Sequence, residues 1–140
     1  MSQLASIASA QSRVTAAQRD QSVANTALSK AEGEYTTAQS KYNQVSTEFS
    51  QKSSRISSIQ SDIAKYTRRN DQSRVASLQS DLSNAQSDLD GLQRKLDRAN
   101  IDVQKKSRKL QSAQAEYQRK TAALAVAQRN LADRLHLCTR

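Results

Sequence analysis

Apolar and alanine side chains recur at alternating spacings of three and four along almost the whole chain. That period commits it to long helices that pair along a narrow seam. Every seventh residue from Ile7 gives Ile7, Val14, Gln21, Leu28, Tyr35, Tyr42, Phe49, Ile56 and Ile63. Every seventh from Ala10 gives Ala10, Ala17, Ala24, Ala31, Ala38, Val45, Lys52, Ile59 and Tyr66. These are the a and d positions of an unbroken heptad repeat. Downstream the repeat starts afresh. Its a positions are Val75, Leu82, Leu89, Leu96, Val103, Leu110, Tyr117, Leu124, Leu131 and Cys138. Its d positions are Leu78, Ala85, Leu92, Ala99, Lys106, Ala113, Lys120, Ala127 and Arg134. The two phases do not join. A continuous helix would carry the first a series from Ile63 onto Asn70 and Ser77.

The register therefore resets at 67–74. Asn70, Asp71 and Ser73 can turn the chain there and cap a new helix, with Arg68 and Arg69 beside them. The predicted fold is all-α: a single long antiparallel two-helix coiled-coil hairpin with an alanine-rich seam. Residues 1–66 form the first helix, 67–74 the turn and 75–140 the second helix, as one elongated unit with both termini together. Composition agrees. The 140 residues include no Pro, the strongest helix breaker. A hydrophobic content of 36% is too low for a compact core of ordinary size. Outside the seam the first arm is mostly Ser, Thr, Gln and Asn, which are mediocre helix formers. Pairing must hold that helix.

Folding about the turn sets each a against a d of the other arm. Alanines then meet larger residues: Ala38–Val103, Ala31–Leu110, Ala24–Tyr117, Ala17–Leu124 and Ala10–Leu131 from one arm, Ile56–Ala85 and Tyr42–Ala99 from the other. The two seams complement each other in volume, as a packed core requires. Gln21–Lys120 is a polar layer expected to lock the register. The flanking g positions pair Arg55–Asp88, Glu48–Lys95, Lys41–Asp102 and Glu34–Lys109, four consecutive pairs of opposite sign; Asp62–Asp81 is the exception, where Arg74 is placed to offset it. Each pair is worth only roughly 0.2–1 kcal/mol, but together they select this register.

Such a fold offers no concave, water-excluding site of the kind catalysis needs. No catalytic residue, metal, cofactor or small-molecule substrate is expected. His136 falls at an outer f position, expected to be solvated, and Cys138 faces Gln3 as a free thiol. A single cysteine excludes an internal disulfide. The segment 1–5 lacks the basic and apolar regions of a signal peptide, and no apolar run approaches the roughly 18 residues of a membrane span. A cytoplasmic location is the expectation.

Three surfaces remain. At the end carrying both termini, Leu4, Ala8, Ala16, Val23, Ala122, Val126, Leu135 and Leu137 are apolar beyond the seam. A two-helix seam cannot bury them all, so they are candidates for binding a protein partner or a second copy. On the second arm, Arg94, Arg98, Lys105, Arg108, Arg119 and Arg129 are candidate anion-binding residues, in a chain of net charge +9. The turn residues Arg68, Arg69, Asn70 and Asp71 form the third. The first reading is a non-catalytic structural or adaptor protein acting by helix–helix contact or self-assembly. A second, from another class, is a basic hairpin that binds nucleic acid or anionic membrane, marked by strong salt dependence.

In shape such a hairpin resembles the small antiparallel coiled-coil stalk proteins of bacterial secretion and flagellar export. Prefoldin-like chaperone arms and the tRNA-binding arm of seryl-tRNA synthetases are hairpins as well. The likeness is one of shape and transfers no residue. It implies a third reading, a secretion-type escort or stalk protein.

Overall fold

The computed structural model describes residues 2–138, apart from the side chains of Ser2 and Cys138. The expected layer of Cys138 against Gln3 falls outside these. Two helices account for nearly all of it: α1, Ser2–Arg68, and α2, Gln72–Cys138. Among the described residues there is no strand. The two helices pack against each other.

α1 is long despite poor intrinsic propensity, and its threonines show how the polar residues are accommodated. The hydroxyls of Thr15, Thr26, Thr47 and Thr67 donate to the carbonyls of Gln11, Ser22, Asn43 and Ile63, four residues back, at 2.7–3.1 Å. A hydroxyl satisfied this way does not compete for the helix's own amides. Burial supplies the rest. Every a and d residue from Ile7 to Tyr66 and from Val75 to Arg134 is buried or half-buried. The most deeply buried hydrophobic residues are Ala10, Ala24, Ala31, Ala38, Val45, Ile56, Ile59, Ala85, Ala99 and Leu124, all of them at a or d.

The chain forms two compact units. One is Thr36–Lys105 and contains the turn. Its core is Ile56, Ile59 and Ala85, with Ile63, Leu78, Leu82 and Leu89 packed around them. Ala85 leaves room for two isoleucines, the large-against-small matching expected of this seam. Each isoleucine removed from water contributes roughly 1.5–3 kcal/mol. The other unit joins Met1–Tyr35 to Lys106–Arg140. There the Gln21 amide donates to the Thr121 hydroxyl at 3.1 Å, and the Arg134 guanidinium reaches Ser6. Gln21 thus pairs with Thr121 rather than with Lys120, whose ammonium lies 3.6 Å from Glu116 of its own helix. A lysine in a seam gains more from a carboxylate at i−4 than from a neutral amide.

The turn is tighter than 67–74. α1 continues to Arg68 and α2 begins at Gln72, so only 69–71 are non-helical. The Asp71 amide donates to the Tyr66 carbonyl at 3.0 Å and the Asn70 amide to the Thr67 carbonyl at 3.1 Å. This pair of bonds closes the last turn of α1 in a Schellman motif. Asn70 is left-handed, with φ 58°, a conformation that asparagine tolerates better than most residues. Asp71 then opens α2. Its carboxylate accepts the Arg74 amide at 3.2 Å and its carbonyl accepts the Val75 amide at 3.1 Å. One residue ends the first helix and caps the second.

Two predictions follow from this junction and from the glycines. Asp71→Ala should cost about 1 kcal/mol, the usual worth of an N-cap. Asn70→Val should cost about 1–2 kcal/mol through the left-handed backbone, whereas Asn70→Gly should not destabilise. Thermal unfolding followed by circular dichroism reads all three, and an unchanged melting temperature for Asp71→Ala would remove the capping role. A Cβ at Gly33 or Gly91 meets nothing within 4 Å. Gly33→Ala and Gly91→Ala should each stabilise by up to about 1 kcal/mol.

Candidate interaction surfaces

The apolar candidates emerge on the surface because the seam is narrow. With a and d turned inward, residues at c, e, f and g have no second helix to cover them. Leu4, Val23, Val126, Leu135 and Leu137 are exposed, from 44% at Leu135 to 68% at Leu4. Ala8, Ala16 and Ala122 are exposed as well. All eight belong to the unit that contains both chain ends. The other unit exposes one large apolar side chain among the described residues, Ile101 at 52%. Ile101 escaped the sequence reading, although an isoleucine at an outer f position was a visible signal.

The basic candidates divide between the units. Arg94, Arg98 and Lys105 lie in the unit with the turn, and Arg108, Arg119 and Arg129 in the other. All six are exposed and occupy c or f positions of α2. Arg119 is paired with Glu116 of its own helix, so its charge is partly neutralised where it stands. His136 is exposed, at the f position expected.

The flank of charged g residues is used unevenly. Glu34 takes two lysines, Lys109 at 3.3 Å and Lys106 at 3.5 Å. Lys106 occupies a d position and stays half-buried by stretching its ammonium out to this carboxylate. The hydrogen bond from Lys109, reinforced by the charge of Lys106, holds the Glu34 carboxyl below its ordinary value of 4.5, against a smaller opposing effect of burial. Asp88 pairs with Lys52 at 3.3 Å and not with Arg55. Lys52 is also a d residue. A seam lysine has its stem already ordered by packing, so it loses less entropy in pairing than an exposed arginine does.

Lys41, Glu48, Lys95 and Asp102 do not follow suit. The expected pairs Lys41–Asp102 and Glu48–Lys95 close no ion pair. The four side chains instead line a groove of about 470 Å³, together with Gln44 and Arg98, above a floor of Ala38, Val45 and Ala99. Small d residues from both helices leave the hollow.

At the turn, Tyr66 gathers cations. The charged groups of Arg74, Lys65 and Arg69 lie 4.8, 5.6 and 5.8 Å from its ring centre, and Arg74 also donates to its hydroxyl. Contacts of this kind are worth roughly 0.5–1 kcal/mol each where water has access. Arg74 also sits 3.9 Å from Asp71. Sequence reading placed Tyr66 in the seam alone. Its position just before a basic turn was the signal for the second role. Arg68 and Arg69 are exposed beside it.

Among the described residues no three His, Cys, Asp or Glu side chains come together as a metal site. Nor, among those residues, is any helix long and apolar enough to cross a membrane. Comparison with protein-family models finds no match, and comparison with curated proteins finds none.

The Glu34 site carries a pH signature. Its folded value is depressed, so the stability it contributes is present above the unfolded value and is lost as pH falls through the folded one. Below about pH 4.5, wild-type protein should lose stability more steeply than Glu34→Gln. Parallel acid profiles of melting temperature would show that the two lysines do nothing for the fold.

Proposed function

We propose that the chain is a non-catalytic adaptor or scaffold. Its two helices form an antiparallel coiled-coil hairpin, with a and d residues interlocking at the layers laid out from the sequence. Three features support the hairpin: the confinement of deep burial to those positions, the Asp71 junction, and cross-helix contacts that join residues nearly equidistant from the turn. Binding takes place on the unit that holds both chain ends, through helix-on-helix contact with a protein partner or a second copy.

The observation that carries this reading is that Leu4, Val23, Val126, Leu135 and Leu137 are all exposed on that one unit, against Ile101 alone on the other among the described residues. Single exposed apolar residues need no explanation, but an excess of them on one unit supports a contact surface there. Neighbouring Ala8, Ala16 and Ala122 let an incoming helix approach closely. Binding of nucleic acid or anionic membrane is the lesser reading. Its six basic residues have no aromatic side chains among them on which bases could stack, and Arg119 is already engaged with Glu116. A reducing, cytoplasmic setting suits a chain with Cys138 as its one cysteine.

Light scattering over a range of protein concentrations, with and without Val23→Ser, Val126→Ser and Leu137→Ser together, tests the proposal. Wild-type mass should climb with concentration, and the triple variant should blunt that climb by tenfold or more in concentration while keeping its helicity. Identical behaviour of the two proteins would sink the self-association arm.

A further inference from the structure

We infer that the groove between residues 38–48 and 95–102 is a second docking surface, and that its occupant is another copy of this chain. It lies wholly within the unit that contains the turn, and does not depend on the apolar surface described above.

The inference rests on how charge is ordered along the groove. α1 contributes Lys41 and Glu48, seven residues apart. α2 contributes Lys95 and Asp102, also seven apart. Two helical turns separate the members of each set, about 10.5 Å along the axis. On each helix the lysine precedes the acid. The helices run in opposite senses here, so Lys41 stands on the side of Asp102 and Glu48 on the side of Lys95. Both sets are centred on one layer, where Gln44 and Val45 share the groove with Arg98 and Ala99.

Such a pattern is self-complementary under a two-fold axis through that centre. If the axis crosses the helices, Lys41 meets Glu48 of the second copy and Lys95 meets its Asp102. If the axis runs along them, Lys41 meets Asp102 of the second copy and Glu48 meets its Lys95. Either way four opposite-sign pairs form and none of these four residues meets its own sign; Arg98, beside the centre, faces Arg98 of the second copy only if the axis crosses the helices. A two-fold interface uses one patch twice, and this patch answers itself. Arg98 adds a fifth charge at the rim.

Two further observations favour this occupant. The four charges close no ion pair within the chain, whereas elsewhere in the same unit Asp88 is taken by Lys52. The groove floor is Ala38, Val45 and Ala99, small residues that admit another helix closely. A groove of mixed sign is poorly suited to a simple anion, whose binding needs an excess of donors.

The test uses full-length chains carrying Val23→Ser, Val126→Ser and Leu137→Ser, so that the end surface is silent and its failure cannot imitate failure of the groove. One chain adds Lys41→Glu and Lys95→Glu, making the groove acidic. The other adds Glu48→Lys and Asp102→Lys, making it basic. Sedimentation should find each alone at the mass of one chain, and an equal mixture at the mass of two. The parent with the native groove should also pair, more weakly as salt rises. A parent that stays single at every concentration overturns the inference, as does a mixture that fails to pair. Should the charge variants lose helicity, the parent with Gln44→Cys and Cys138→Ser decides. A short bismaleimide should join two copies at low salt, and Ser80→Cys in its place should not. Equal linkage from both positions, or none from position 44, overturns it as well.

Discussion

A helix rich in Ser, Thr, Gln and Asn holds together in water only where it has a partner to bury against. Every other feature of this protein depends on that constraint. α1 lacks the propensity to be a helix of such length alone, and neither helix has aromatic or aliphatic bulk enough for a globular core. The seam solves both problems at once. Burial is deepest at alanine, valine and isoleucine in a and d positions, and backbone order follows from side-chain packing. Because the seam is only two residues wide, it cannot cover everything apolar. Leu4, Val126 and Leu137 are left outside as a direct result.

The choice of small residues at d has a second effect. Alanine brings helix axes together, and the space above it belongs to the side chains on the flanks. Where the d residue is lysine, as at Lys52 and Lys106, the ammonium reaches out and neutralises a flanking acid. Where it is alanine, as at Ala38 and Ala99, the flanking charges stand apart and a groove opens. At these positions the d residue goes with whether the flanking charges are neutralised or left lining a groove.

Much of this was legible in the sequence. The heptad phases placed every residue that is deeply buried, and the phase break located the turn, because side-chain periodicity and burial are two expressions of the same helix geometry. What could not be read was the identity of individual polar partners. Gln21 was expected to meet Lys120 and meets Thr121, and Asp88 was expected to meet Arg55 and meets Lys52. Heptad position fixes where a Cβ lies to within a turn of helix. A long flexible side chain then chooses among several partners that differ by a few tenths of a kcal/mol. The non-helical link is shorter than the expected 67–74 for a related reason. Asp71 serves both helices at once, and a sequence read helix by helix allots separate residues to the end of one and the start of the next. The d position of Tyr66 says nothing of its second role at the turn, whereas the f position of Ile101 does announce its exposure.

The brevity of the 69–71 link bears on how the chain finds its structure. Closing a loop costs least when few residues lie between the groups that meet. Around this turn the contacts are arranged in order of increasing separation: Tyr66 with Arg74, then Ile63, Ile59 and Ile56 among Leu78, Leu82 and Ala85, then Lys52 with Asp88. Each contact, once made, leaves only a few more residues to be closed by the next. Each non-local contact therefore has only a short stretch of chain left to close once its inner neighbour is in place.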